Sequence, residues 1–313
     1  KARSSSLFMP NFIKVEGKKY PTIILGGDRF LGWFGKPPEH IKDVITTEPY
    51  ITSIMEKCYQ LGVRGFDMSV KKEVINSFKT IKKKHPDAVG IGNPNMDAGY
   101  ELYGKPLCEF GHRIIATYMN DFFSKELKEK IKNLPLDRKK WFEYPKGTKP
   151  LTQKEIDSIT IDLDKYQKKL NPLKGVCDFI LISECQLDCL SIFDRLDIHE
   201  KLIKLVRYNG FIPIGLSELT TISLPKYKKL DYAAYWTWVS KGFQFEDKKA
   251  ALKEISNAGK PVTSFKSLSG GRLIDDIDGA IKFLKESGLS AVNLGVETEE
   301  QAEQTFTVAN KYF

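Results

Sequence analysis

Several apolar runs in this sequence end on a small or ionisable residue. PTIILGG is followed by Asp28, GVRGFDM carries Asp67, AVGIGNP carries Asn93 and leads to Asn95, and CDFILIS ends on Ser183 before Glu184. GFIPIGLS ends on Ser217 before Glu218, PVTSFKSL contains Lys266, and SAVNLGV precedes Glu297. A carboxylate at such a place either caps the next helix or stands over a site. Several converging carboxylates repel one another and raise some of their pKa values unless a cation neutralises them. Three acids with an asparagine would suit Mg2+ or Mn2+. Dispersed, the same acids are solvated residues that favour a helix N-terminus.

Lys266 is the cation at these ends, and it has three uses. Desolvated, it is a Schiff-base nucleophile. As a charge it binds a phosphate on a substrate or cofactor, and otherwise it snorkels to solvent. Ser267, Leu268, Ser269, Gly270, Gly271 and Arg272 follow it. Glycine lets backbone N–H groups approach a phosphate closely, so this loop is either an anion cradle or an ordinary turn. Trp33, Phe34, Trp236 and Trp238 either stack a ring over the site or pack the core. His40, His85, His112 and His199 fall away from the run ends, and none is assigned as a general base.

The elements that must hold these residues follow from the same runs. Residues 21–27, 62–68, 88–94, 177–183, 210–217, 232–238, 261–268 and 290–296 are apolar throughout rather than alternating, as strands buried on both faces should be. Helical patterns lie between them, and eight such strands are the number for a (β/α)8 TIM barrel. Its active site would gather at the strand C-termini. NFIKVEGKKYPTI reads as an N-terminal β-hairpin across the barrel floor. Thr152 and Glu155 make a capping-box pattern that predicts a helix to about Leu170.

The chain of 313 residues reads as one barrel domain, with residues 1–8 a tail. Residues 97–172 enlarge the third β–α crossover as a helical insertion, either a cover over the mouth or a homo-oligomer contact. At 41% hydrophobic and 12% aromatic residues, the composition supports a sizeable core and excludes global disorder. No apolar stretch approaches the roughly 20 residues of a membrane span, so no membrane partner is expected. The net charge of +9 is dispersed over lysine clusters without interleaved aromatics. That argues against nucleic acid and fits an anionic small-molecule substrate. Five cysteines, Cys58, Cys108, Cys177, Cys185 and Cys189, with no secretory leader pattern, suggest reduced thiols in a cytoplasmic protein. Cys185 and Cys189 have no second close pair, so no metal is assigned to them.

Taken in order, these motifs resemble the aldo-keto reductases. The hairpin with ILGGDRFLGWFG resembles that family's opening and its glycine-bearing first strand. GVRGFDMSVKKEV resembles the second-strand motif, CDFILIS the fourth strand and NGFIPIGLS the fifth. PVTSFKSLSGGRL resembles the seventh strand with its cofactor loop, and SAVNLGVETEEQAEQTF the eighth strand and its helix. The resemblance implies an NADP-binding oxidoreductase acting on a small anionic or carbonyl substrate. It implies cofactor contacts from Gly27 and from Ser267, Leu268, Ser269, Gly270, Gly271 and Arg272.

Of the family's catalytic aspartate, tyrosine, lysine and histidine, only the aspartate carries over cleanly, to Asp67. The tyrosine position falls on Lys71 or Lys72, the lysine near Asn93 and the histidine on Ser183. Asp67, Lys72, Ser183 and Lys266 are therefore the candidate catalytic residues. Without the tyrosine, the proton for a carbonyl oxygen must come from another group. Two alternatives remain open: a non-redox lyase or isomerase using a lysine or a carboxylate-bound divalent metal, and a catalytically silent binding subunit.

Overall fold

Each of the eight apolar runs folds as a strand, and the eight close on themselves. The computed structural model describes residues 12–32, 37–94, 98–134 and 136–313; the tail, Trp33, Phe34 and Asn95 lie outside the described residues. In chain order the strands begin with the hairpin β1 (Phe12–Val15) and β2 (Lys18–Pro21), then β3 (Ile23–Leu25), β4 (Gly65–Ser69) and β5 (Val89–Asn93). The insertion adds β6 (Tyr100–Leu102), β7 (Lys105–Pro106) and β8 (Ile159–Ile161). The chain returns with β9 (Cys177–Ile182), β10 (Ile212–Ser217), β11 (Ala234–Trp238), β12 (Val262–Phe265) and β13 (Ala291–Leu294). The barrel runs β3-β4-β5-β9-β10-β11-β12-β13 and closes from β13 to β3. Every neighbouring pair in it is parallel.

Parallel neighbours require crossovers, and amphipathic helices supply them. They include Glu48–Gln60, Lys72–Lys84, Leu196–Tyr208, Lys248–Ser256 and Ile277–Glu286. In Lys72–Lys84 the residues Val74, Ile75, Phe78 and Ile81 make the buried stripe, spaced for one helical face. The floor is closed as the hairpin predicts. Tyr20, fully buried, accepts a hydrogen bond from Trp236 Nε1 at 2.6 Å and lies 2.8 Å from Thr263 Oγ1. Its ring meets Phe179 edge-on at 5.1 Å. Trp236 therefore packs toward the floor, not at the mouth.

The segment from Thr152 to Leu170 departs from the single helix expected. The capping box forms and opens a short helix, Gln153–Asp157. Ile159, Thr160 and Ile161 are all β-branched and favour extended backbone, and they pair with β6 as β8. Asp162 then caps a new helix, Leu163–Leu170, by accepting from the Lys165 N–H. The insertion is tied to the barrel by tyrosines. Tyr100 Oη donates to the Ser183 carbonyl and Tyr118 Oη to the Gln186 carbonyl, each at 2.6 Å. Within the insertion, Arg113 grips both oxygens of Glu155 at 2.8 Å.

Candidate active site

Asp67 sits in β4 with its carboxyl among Tyr20, Asn293, Gly27 and Asp28. Local backbone makes room for it. A Cβ on Gly26 would stand 2.7 Å from Asn293 Oδ1, and one on Gly27 would stand 2.4 Å from the Asp67 carbonyl oxygen. Two glycines are thus required where β3 leaves the barrel. Asp67 is 8% exposed, and no hydrogen bond or ion pair joins it to a lysine or arginine among the described residues. Burial and the neighbouring Asp28 charge push its carboxyl up to about 8, against the opposing Gly27 N–H and Asn293 amide. It is therefore largely a neutral acid at pH 7. Asn293 Nδ2 is buried with no hydrogen bond of ordinary geometry, so a donor stands ready beside this carboxyl.

Asp28 follows β3 at the mouth. Solvent reaches it, yet protein surrounds it, and this enclosure raises its carboxyl above the usual range. The Glu218 charge adds to the rise, while Lys266 and Arg29 oppose it. Asp28 and Asp67 form a carboxyl pair that reaches from the barrel interior to the mouth.

Lys266 is placed beside this pair by the backbone. Its φ of 51° ends β12 at Phe265, short of the strand expected to residue 268, so Lys266 opens the loop. Its Nζ lies 3.0 Å from Glu218 Oε1, 4.4 Å from the Trp238 ring centre and 4.7 Å from that of Trp141. An ammonium between two indole faces is held by both of them. Trp141 comes from the insertion and meets Trp238 edge-on at 6.2 Å. Phe142 packs on Phe245 at 5.2 Å, and Phe245 on Trp238 at 4.7 Å. The insertion thus reaches over the mouth through an aromatic cluster.

The loop after β12 divides its groups between barrel and solvent. Ser267 Oγ hydrogen-bonds Ser264 and the Asn293 carbonyl, and Ser269 Oγ hydrogen-bonds Ser240 and the Phe243 N–H. Both hydroxyls serve the fold. Leu268 is half-buried against the core, whereas Gly270, Gly271 and Arg272 are exposed. Ser269, Gly270 and Gly271 have φ of 54°, 70° and 89°. Among the described residues, the amides of Leu268 and Gly270 make no hydrogen bond. Arg272 Nη1 donates to the Ser269 carbonyl at 3.0 Å, which holds its guanidinium over the loop. Amides without a hydrogen bond beside a guanidinium are a donor set for phosphate oxygens, so these residues fit the phosphates of a dinucleotide.

The other sequence candidates lie elsewhere. Lys72 is exposed at the start of its helix and makes no hydrogen bond or ion pair among the described residues. Its neighbour Lys71 is the one turned inward, its Nζ donating to the Phe30 carbonyl at 3.1 Å. Ser183 is buried, but no hydrogen bond joins it to Asp67 or Lys266. Gly27 contacts Asp67, a packing role instead of an open cradle. Only some of the strand-end acids converge: the charges of Asp67, Asp28 and Glu218 act on one another, while two others stand apart. Glu297 pairs with Arg29, and Glu184 turns outward beneath the helices. No group of three His, Cys, Asp or Glu suited to a metal ion exists among the described residues.

Sequence reasoning missed a second buried network. Glu184 accepts from Ser191 Oγ at 2.6 Å and from Tyr227 Oη at 2.8 Å. His199 bridges Glu184 and the Tyr232 hydroxyl at 2.7 and 2.6 Å. Asp188 accepts from the N–H groups of Glu218 and Leu219 and from Ser217 and Ser223. It thereby fixes the loop that carries Glu218. The signal for His199 was its place on the apolar stripe of Ile198, Leu202, Ile203 and Val206.

A parallel eight-stranded barrel with a floor hairpin and a carboxyl-bearing mouth defines a class. The chain matches PA4992 from Pseudomonas aeruginosa at TM-score 0.56 and 10% identity, covering 98% of both chains. It matches the holo form of an aldo-keto reductase from Bacillus halodurans at TM-score 0.54 and 10% identity, covering 96% of this chain and 91% of that one. It also matches a point mutant of Gox0644 in complex with NADPH at TM-score 0.54 and 13% identity, covering 96% of this chain and 88% of that one. No protein-family model and no curated relative matches the sequence. The chain has the fold of the aldo-keto reductases.

Proposed function

We propose that this chain is an oxidoreductase that binds NADP(H) at the loop after β12 and reduces a small carbonyl substrate, with the Asp67–Asp28 pair as its acid. The observation that carries the reading is Asp67, a buried carboxyl that makes no ion pair among the described residues and has a proton held to about pH 8. The cofactor would supply the hydride. A carbonyl oxygen gaining that hydride must receive a proton, and the missing tyrosine leaves the carboxyl pair as the group with one to give. Asp67 holds the proton inside the barrel, and Asp28, which solvent reaches, delivers it at the mouth. The amides of Leu268 and Gly270, with Arg272, would bind the cofactor phosphates.

The non-redox alternatives draw less support. A Schiff-base role would require Lys266 Nζ to leave Glu218 and two indole faces. A carboxylate-held metal finds no suitable cluster among the described residues. Calorimetric titration with NADPH, followed by turnover assays on a panel of aldehydes and ketones, tests the proposal. Binding with slow, acid-favoured reduction supports it, and lack of binding to both NADPH and NADH removes it. Binding without turnover would favour a silent subunit.

A further inference from the structure

Two thiols meet inside the turn that follows β9. Cys185 Sγ and Cys189 Sγ lie 3.5 Å apart, and the Cys189 N–H donates to the Cys185 carbonyl at 3.4 Å. Between them Gln186, Leu187 and Asp188 have φ of 49°, 54° and 61°. Left-handed backbone is costly for residues that carry side chains, and no glycine relieves this turn. The turn also carries two long-range contacts. The Gln186 carbonyl accepts from Tyr118 of the insertion. Asp188 accepts from the Glu218 and Leu219 N–H groups and from Ser217 and Ser223, and Glu218 lies 3.0 Å from Lys266. Both cysteines are buried, Cys185 at 2% and Cys189 at 0% exposure, so an oxidant reaches them when the turn opens.

We propose that Cys185 and Cys189 form a reversible disulfide, made by hydrogen peroxide and undone by a thiol, that resets the turn holding Glu218 at the mouth. The Cys185 sulfur, the less enclosed of the two, attacks the peroxide O–O bond. It becomes a sulfenic acid, and one water leaves. The Cys189 sulfur then displaces a second water as the S–S bond forms. Two thiols thus lose two electrons and two protons, and one peroxide is reduced to two waters. Bringing the sulfurs from contact to bonding distance tightens the ring of chain that contains Asp188. The hold of Asp188 on the Glu218 and Leu219 N–H groups loosens as a result. The pair thereby regulates the proposed reduction at the mouth; that consequence rests on the oxidoreductase reading, whereas the disulfide itself does not.

The test uses the full chain and two readouts that need neither NADPH nor turnover. After treatment with hydrogen peroxide the protein is quenched, unfolded, alkylated with N-ethylmaleimide and cut with trypsin. The peptide 175–195 contains Cys177, Cys185 and Cys189, so untreated protein should give it with three adducts. Treated protein should give it with one adduct, on Cys177, and lighter by two hydrogens. Dithiothreitol before alkylation should restore all three adducts. Hydrogen–deuterium exchange at Glu218 and Leu219 should rise about tenfold on oxidation, the upper range for one lost hydrogen bond. Cys189→Ala should form no disulfide and show no rise; reversal of the wild type by dithiothreitol serves if that variant fails to fold. Three adducts after a peroxide dose that oxidises free glutathione would overturn the proposal, as would a sulfinic acid in place of the disulfide. A disulfide that leaves exchange unchanged, or a rise that persists in Cys189→Ala, would overturn the link to Glu218. A protein that forms the disulfide and shifts exchange, yet reduces no carbonyl, would leave the thiol pair standing and remove only the oxidoreductase reading.

Discussion

Gly27 and Asp67 touch through their backbones: a Cβ on Gly27 would stand 2.4 Å from the Asp67 carbonyl oxygen. The Gly27 N–H also donates to the Asp67 carboxyl. One glycine therefore sets both the spacing of the first two barrel strands and the environment of the proposed acid. Gly27→Ala must push these strands apart, and overpacking of this kind costs about 1–3 kcal/mol. A lowered urea midpoint with an unchanged slope is the expected result. Gly295→Ala is the control, because a Cβ there meets nothing closer than Arg29 Cγ at 3.7 Å. Equal tolerance of both substitutions would contradict the contact.

The raised Asp67 carboxyl makes stability depend on pH with a definite sign. Its ordinary value is 3.8 and its folded value about 8. Between these the folded chain keeps a proton that the unfolded chain releases, so the Asp67 contribution falls as pH rises from about 4 to about 8. Glu246, pushed up to about 7 by burial, acts in the same direction. Glu155, held at about 2 by Arg113, acts oppositely, its contribution being lost as pH falls below its ordinary 4.5. Melting temperatures should peak in mildly acidic buffer and decline toward pH 8.5. In Asp67→Asn the decline should be shallower. A variant with the wild-type slope would show that Asp67 is ionised across this range.

His199 and Glu184 are both fully buried and 2.7 Å apart. Replacing His199 by Phe leaves the Glu184 carboxylate with only neutral donors in the interior. Breaking a buried pair from one side costs about 3–5 kcal/mol. The double variant Glu184→Gln with His199→Phe should recover part of that loss, since no buried charge then remains. Chemical denaturation of the three variants measures the coupling, and additive losses would contradict it.

Trp141 is the main ring contact between the insertion and Lys266. Trp141→Ala should loosen the insertion without unfolding the barrel. Limited proteolysis should then cut faster around Lys146–Lys149, while the melting temperature shifts by only a few degrees. Cutting that is already rapid in the wild type and unchanged in the variant would show that the ring does not hold this segment down.

The barrel was legible because strands buried on both faces write themselves as continuous apolar runs, and all eight runs became strands. The hairpin floor was legible in the stretch NFIKVEGKKYPTI. Asp67 was legible too, as the acid that ends its run. What escaped prediction depends on contacts between distant segments. Trp141 lies in a stretch with no strand pattern, so nothing local says that it reaches Lys266. Lys72 looked equivalent to Lys71 until the helix start at residue 72 turned one outward and one inward. Glu184 and Glu218 both follow strands, yet one is buried under His199 and the other faces Lys266. Strand ends mark candidates, and only packing divides them.

The most direct test of the account is the pH dependence of NADPH oxidation by wild type and Asp67→Asn with a panel of aldehydes and ketones, with NADPH affinity measured in parallel. Asp67 as the proton source predicts carbonyl-dependent oxidation that is fastest below about pH 8 and declines above it. Asp67→Asn should bind NADPH within about threefold of wild type while turnover drops at least a hundredfold, a loss typical of removing a general acid. Oxidation that is flat across pH and unchanged in Asp67→Asn would contradict the account, as would a wild type that binds NADPH but oxidises it with no carbonyl at any pH.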